Sequence, residues 1–211
     1  FFYRYYIMKK LRQWNRGRRS IPQFNSNFFY KYQAVNAEEF IKEVEACSTR
    51  RIDNSKFQWG GHSDSDKVPL QLQDFEYLMK PNVDILFDEM GVDVTPKYCD
   101  PWINMYTRGQ YQEIHDHHGT DFASVFFAND GVDFAKFYFH DRHSINLSPR
   151  IRSLLNPTDR YEINIKAGDI IFFPSHILHG VSPHKSDVVR KTFAVNFDLY
   201  CNETSVSKSK G

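Results

Sequence analysis

Cysteine is scarce: Cys47, Cys99 and Cys201 are the only three in 211 residues. Their odd number and wide separation exclude a disulfide framework and any Cys-x-x-Cys metal or redox motif. A reducing, intracellular compartment is therefore expected, with the cytoplasm as the simplest case. Long hydrophobic runs are also missing. Stretches such as Ile170 to Pro174 fall far short of the roughly 20 residues that a membrane-spanning helix needs, so no membrane partner is expected. The opening FFYRYYIM is apolar, but Arg4 interrupts it and the positive charges follow it. That order is the reverse of a secretory signal. Met8 heads a conventional MKKLRQW start, and residues 1–7 read as an upstream or processed extension. With ten glycines and nine prolines, neither a collagenous nor a low-complexity chain fits.

What is abundant is aromatic. Phe, Tyr and Trp make up 16% of the chain, and such residues favour the half-buried pleated surface of sheets. A mass of 25.0 kDa fits one ordinary domain. The net charge of +1 hides an asymmetry. Residues 1–37 hold eight Lys or Arg and no acid, which leaves 19 basic against 26 acidic residues in the remainder. A basic segment of this kind can touch nucleic acid, membrane or an import receptor. A solvated tail is the commoner outcome, and no nucleic-acid partner is expected.

Residues 1–24, with Arg16, Gly17, Arg18, Arg19 and Pro22, read as a mobile basic lead-in, and residues 25–211 as a single domain. Asn36 followed by Glu39 resembles a capping box, and the spacing of Phe40, Ile41 and Val44 predicts a helix to about Cys47. A second helical stretch spans about Leu72 to Met90, where Pro81 predicts a break into two short helices. From Tyr98 the texture changes to short aromatic and β-branched runs divided by turn residues. Eight such runs occur, at about 100–107, 111–117, 122–128, 134–140, 160–166, 169–174, 178–182 and 189–199. The expected fold is mainly β, a jelly roll or double-stranded β-helix of eight strands over about 98–200, with supporting N-terminal helices. Residues 142–159 carry no strand pattern and read as a functional loop.

Nine histidines are present, and their placement points to chemistry. In QEIHDHHGTDF, strand alternation puts His115 and His117 on one face and Asp116 and His118 on the other. His179, after the FFPS run, supplies a third imidazole at the mouth of a later strand. Three neutral nitrogens on one side of a metal leave positions open for substrate and oxygen, as a catalytic non-haem iron site requires. Arg190 opens the last strand and Thr192 shares its face, a fork and a hydroxyl suited to a carboxylate. The other histidines, His62, His118, His140, His143, His176 and His184, read as structural, although His140 and His143 flank the long loop and are candidates to face substrate.

The stretch from Trp102 to Phe197 resembles the iron(II)- and 2-oxoglutarate-dependent oxygenase superfamily, particularly its phage and marine bacterial branch. The resemblance rests on five blocks in order, one of them a V-x-Y strand, and the residues that carry it are Trp102, Asn104, Tyr106, Gly109 and Tyr111; His115, His117, Gly119 and Thr120; Gly168, Asp169, Phe173, Pro174, Ser175, His179, Val181 and Pro183; then Arg190, Thr192 and Asn196. WGGHSDS around Trp59 adds weakly to it. This resemblance implies His115 and His179 as iron ligands, Arg190 with Thr192 on the distal carboxylate of 2-oxoglutarate, and Asn104 and Tyr106 reaching the same cosubstrate. It also implies O2 as oxidant, succinate and CO2 as products, and ascorbate as a candidate reductant. The implied substrate is a peptidyl, prolyl-type group or a small molecule, and the implied setting is intracellular, in a phage- or virus-encoded protein.

One departure stands out. The superfamily usually places Asp or Glu two residues after its first histidine, where this chain has His117. Either His117 completes a three-histidine site, which its strand face favours, or it faces substrate and a carboxylate such as Asp121 or Glu113 takes part. Two other functions stay open on the sequence: a cupin-type three-histidine metal protein that uses no 2-oxoglutarate, and a metal-free jelly-roll binding module.

Overall fold

The computed structural model describes residues 27–50, 52–53, 65–99, 101–141, 148–155 and 159–201. The lead-in 1–24, residues 59–64 of the WGGHSDS patch with His62, and His143 lie outside the described residues. In chain order the elements are β1 (Tyr30–Gln33), α1 (Ala37–Cys47), β2 (Asp66–Pro69), a 3-10 turn (Leu72–Asp74), α2 (Glu76–Met90), β3 (Val94–Tyr98), β4 (Trp102–Tyr106), β5 (Gln112–His115), β6 (Phe122–Phe127), β7 (Phe137–His140), α3 (Pro149–Leu155), β8 (Arg160–Glu162), β9 (Asp169–Pro174), β10 (His179–Val181) and β11 (Arg190–Cys201). No helix among these residues is long and apolar enough to cross a membrane.

The strands form two antiparallel sheets, in the jelly-roll manner that the sequence texture predicts. The larger has the order β1-β9-β6-β11-β4-β2, with β3 also pairing β11, and the smaller has the order β5-β10-β7-β8. Alternation along β11 shows how they stack. Phe193, Val195 and Phe197 belong to one core with Phe40, Val44, Leu78 and Leu86 of the helices. Arg190, Thr192, Ala194 and Asn196 line the opposite face, toward the smaller sheet. Between the sheets lies a second core built on Phe127, Phe137, Phe139, Ile171 and Phe173. All six residues of β9 are buried, as expected for a strand covered on both faces. Aromatic rings dominate the helix side, where Phe40 stacks on Phe126 at 4.0 Å and Phe75 on Phe193 at 4.7 Å. Each such buried ring contributes about 1.5–3 kcal/mol by leaving water.

Four expectations need correction. Each of the eight runs holds a strand, but the described residues contain eleven. The additional β1, β2 and β3 are short, and Lys31, Lys67 and Pro96 interrupt their apolar pattern. Pro81 does not divide its stretch: α2 continues through it from Glu76 to Met90. Proline removes one helical hydrogen bond, yet Leu78, Met79, Val83, Leu86 and Phe87 are buried on both sides of it, and this burial outweighs the lost bond. The helix instead ends at Gly91, whose φ of 66° is the left-handed conformation glycine accepts readily. In addition, the supposed loop of 142–159 carries α3.

Asn36 sits at the N-terminus of α1 but makes no side-chain cap. Its amide donates to the Leu78 carbonyl at 3.2 Å and accepts from Asn82 Nδ2 at 2.9 Å. Asn82 is fully buried, and its Oδ1 accepts from the Val35 amide at 3.1 Å. The asparagine pair thus fastens the β1–α1 turn to α2 rather than closing a capping box.

Candidate metal and cosubstrate site

Cross-strand register creates the centre of the site. His179 on β10 pairs directly with His115 on β5. The pairing is irregular: His179 and Val181, two residues apart, face His115 and Gln112, three residues apart. This bulge breaks strict alternation, so Gln112 and His115 both line the inter-sheet cavity. β5 stops at His115, two residues earlier than the sequence suggests. His117 nevertheless stays on the same side, because its N–H donates to the Ser175 carbonyl at 2.9 Å.

The three imidazoles converge, with one nitrogen of each within 4.8 Å of the others. Nε2 of His117 and Nε2 of His179 are 3.1 Å apart. Two nitrogens bound at right angles to one metal, each at about 2.1 Å, would be about 3.0 Å apart, so this pair is already at ligand spacing. Nδ1 of His115 donates to the Glu113 carbonyl at 2.7 Å, and Nδ1 of His179 donates to the Ile177 carbonyl at 2.9 Å. Those bonds fix the tautomer that leaves Nε2 with its lone pair. Burial pushes the pKa of His117 down to about 3, with His115 adding to the effect. Burial, then the neighbouring His115 and His117, also hold His179 well below the usual histidine range. Both rings are neutral at physiological pH, the charge state in which imidazole binds a metal.

The nearby carboxylates do not join this group. Asp116 Oδ1 lies 3.1 Å from Nε2 of the exposed His118, Asp121 accepts the Leu199 amide at 2.8 Å, and Glu113 is exposed.

At the other end of the cavity β11 and β4 pair Arg190 with Tyr106 and Thr192 with Asn104. Arg190 is 3% exposed, and its guanidinium lies over the Tyr106 ring at 4.9 Å and the Phe127 ring at 5.4 Å. Its Nη1 is buried without a hydrogen-bond partner. A buried, incompletely paired cation is costly, and no acid lines this cavity among the described residues. The arrangement fits an anionic ligand that enters from solution. Burial drives the Tyr106 pKa up to about 12, so its hydroxyl remains a donor and serves Gln112 Oε1 at 2.8 Å. Asn104 Oδ1 accepts from the Trp102 indole at 3.1 Å, and Trp102 in turn stacks on His117 at 6.0 Å.

All seven residues singled out from the sequence, His115, His117, His179, Arg190, Thr192, Tyr106 and Asn104, therefore line one cavity. Sequence reasoning missed Gln112, whose inward direction depends on the bulge. Asn196 was noticed only as part of a motif, and its side chain contacts His117. The remaining described histidines lie elsewhere. His140 follows Phe139 on β7, where Phe137 and Phe139 take the inner face, so it points outward. His184 is fixed between the Ala135 amide at 3.1 Å and the Val188 carbonyl at 2.8 Å. His176 and His118 are exposed.

Residues 100–196 match the family model for 2OG-Fe(II) oxygenases. No curated protein matches the sequence. Among solved structures, a prolyl-4-hydroxylase from Pseudomonas putida aligns over 82% of this chain and 93% of its own, with TM-score 0.58 and 11% identity. The viral collagen prolyl hydroxylase of Paramecium Bursaria Chlorella virus-1, solved as a 2-oxoglutarate complex, aligns over 84% and 98%, with TM-score 0.55 and 13% identity. HygX from Streptomyces hygroscopicus, solved with nickel and 2-oxoglutarate bound, aligns over 86% and 87%, with TM-score 0.56 and 12% identity. At these identities the likeness is one of fold, the double-stranded β-helix.

Proposed function

We propose that this chain, whose residues 100–196 match the family model for 2OG-Fe(II) oxygenases, is such an oxygenase and oxidises a peptidyl, prolyl-type substrate or a small molecule, with hydroxylation as the outcome. In this reading His115, His117 and His179 hold iron(II), and Arg190 and Thr192 hold the distal carboxylate of 2-oxoglutarate, with Asn104 and Tyr106 beside it. The observation that carries the reading is the shared cavity: three converging imidazoles at one end, and a buried guanidinium with an unpaired Nη1 at the other. The donor set suits the group, since neutral imidazoles bind ferrous iron. When bound, iron(II) with 2-oxoglutarate activates O2 for substrate oxidation, releasing succinate and CO2.

The chain's own residues do the rest. Arg190 supplies the charge that draws a dianion into the cavity and orients it by its fork. The aromatic rings of Tyr106 and Phe127 hold that fork in one plane. Phe137 and Val181 wall the cavity and exclude water from the reacting groups. With three neutral ligands, the site carries more positive charge than one containing a carboxylate, which strengthens the attraction for the cosubstrate. We assign residues 25–211 to a single oxygenase domain with its jelly roll at 98–200, preceded by the basic lead-in 1–24. A reducing, cytoplasmic setting suits Cys47, Cys99 and Cys201, none of which is in a disulfide.

Anaerobic addition of iron(II) and 2-oxoglutarate to the protein is expected to give the visible charge-transfer band of a chelated keto acid, and admission of O2 to release succinate. Absence of both the band and succinate above background would refute the reading. A three-histidine site is also what a cupin-type protein independent of 2-oxoglutarate would contain. Metal-dependent oxidation that survives Arg190→Ala and needs no keto acid would favour that alternative.

A further inference from the structure

The three imidazoles are not held alike. His115 and His179 give their Nδ1 protons to backbone carbonyls, acceptors that no substitution of a side chain removes. His117 instead has its Nδ1 3.0 Å from the side-chain amide nitrogen of Asn196. An amide nitrogen only donates, so in this arrangement Nδ1 of His117 is the acceptor and its proton resides on Nε2. That proton points at Nε2 of His179, 3.1 Å away, whose own proton is committed to Ile177. In this arrangement the pair closes on itself through an Nε2–H···Nε2 hydrogen bond. Asn196 Oδ1, meanwhile, is buried with no partner among the described residues.

We infer that Asn196 is a positioning residue that sets the tautomer of His117, its amide turning by half a rotation between a metal-free and a metal-holding arrangement. The turned amide presents Oδ1 to His117. Nδ1 then carries the proton and donates it, while Nε2 bears a lone pair directed at the same point as those of His115 and His179. The change gives the orphaned Oδ1 a partner and breaks the bond between the two histidines. It moves one proton within one ring, from Nε2 to Nδ1 through solvent exchange, with no change in net charge. The side chain reaches this place because inward-facing Asn196 lies on β11 two residues beyond Ala194, the partner of Trp102, and Trp102 stacks on His117. Outer partners of ligating histidines typically change metal affinity by about 10- to 100-fold.

This inference rests on the oxygenase reading for its purpose, and its test separates the two. In the full chain labelled with 15N-histidine, NMR of the ring nitrogens should show His117 with its proton on Nε2 in metal-free protein and on Nδ1 after zinc(II) is added. His115 and His179 should carry Nδ1–H throughout. Asn196→Leu, of similar size, is expected to weaken cobalt(II) binding by about 10- to 100-fold and to leave the metal-free tautomer of His117 mixed. Asn196→Asp, a permanent acceptor, is expected to restore binding and to fix Nδ1–H even without metal. Circular dichroism of both variants checks that the fold is kept. Unchanged cobalt(II) affinity in folded Asn196→Leu, or Nδ1–H at His117 in metal-free wild type, would overturn the assignment. If wild-type protein takes up neither cobalt(II) nor iron(II), the oxygenase reading falls, while the metal-free tautomer still decides the role of Asn196.

Discussion

Arg190 shows how a single residue can define a ligand. Its guanidinium has left water almost completely, with aromatic faces beneath it and one nitrogen unpaired. Burial disfavours its charged form, but arginine remains protonated at any physiological pH. The cost of holding that charge is offset only when an anion arrives. A charge-assisted hydrogen bond contributes about 1.5–3 kcal/mol, which corresponds to about 10- to 150-fold in affinity. Arg190→Ala should therefore raise the KM for 2-oxoglutarate by at least that factor while cobalt(II) affinity in the absence of keto acid stays near wild type. Arg190→Lys should recover only part of the loss, because an ammonium neither stacks as a plane nor binds a carboxylate with two parallel bonds. Equal KM values for wild type and Arg190→Ala, from initial rates of succinate release, would remove Arg190 from the cosubstrate site.

Among the elements, what was legible in the sequence follows physical rules of locality. The strands from β4 to β11 could be read because turn residues bound each run of aromatic and β-branched residues. On β11 alternation alone separates Phe193, Val195 and Phe197 from Arg190, Thr192 and Asn196. β1 to β3 escaped because sheet pairing, not their own apolar pattern, holds them: Tyr30 to Gln33 line up against Phe172 to Asp169, and Lys31 is stabilised by Asp169 at 2.7 Å. The approach of His115, His117 and His179 was foreseeable from motif and strand face. The inward turn of Gln112 was not, because it depends on a bulge created by a partner strand more than sixty residues away. Nor was the Asn196–His117 contact, which no local period encodes.

α2 gives this level its test. Proline inside a helix costs about 3 kcal/mol relative to alanine, whereas the smaller conformational freedom of proline in the unfolded chain returns only about 0.4–1 kcal/mol. Pro81→Ala should thus stabilise the protein by about 2 kcal/mol, seen as a higher urea midpoint at unchanged m-value. A lower midpoint would mean that the ring of Pro81 supplies packing not apparent from its half-buried position.

At the scale of the whole molecule, the same burial that prepares the site for metal makes the metal-free fold sensitive to acid. His117 and His179 are neutral in the folded protein because burial lowers their pKa values, to about 3 for His117. In the unfolded chain both titrate near 6.5. Between these limits the unfolded state binds more protons than the folded one, so stability is greatest above pH 6.5 and declines as pH falls from there toward the folded pKa. For His117 the slope approaches about 1.4 kcal/mol per pH unit within that window, which removes about 2 kcal/mol between pH 7.5 and 5.0. His179, lowered in the same direction, adds to a loss that is already appreciable against the 5–15 kcal/mol typical of a folded domain. Bound metal opposes this loss, since it binds the folded rings and must leave before they accept protons. Urea unfolding at pH 7.5 and 5.0, with chelator and with zinc(II), measures both effects. The metal-free midpoint should drop strongly at pH 5.0, the zinc-loaded one should drop less, and in His117→Leu the metal-free drop should shrink by about one ring's share. An equal drop in wild type and His117→Leu would show that acid sensitivity arises elsewhere, and that the neutral histidine cluster is not what links proton, metal and fold.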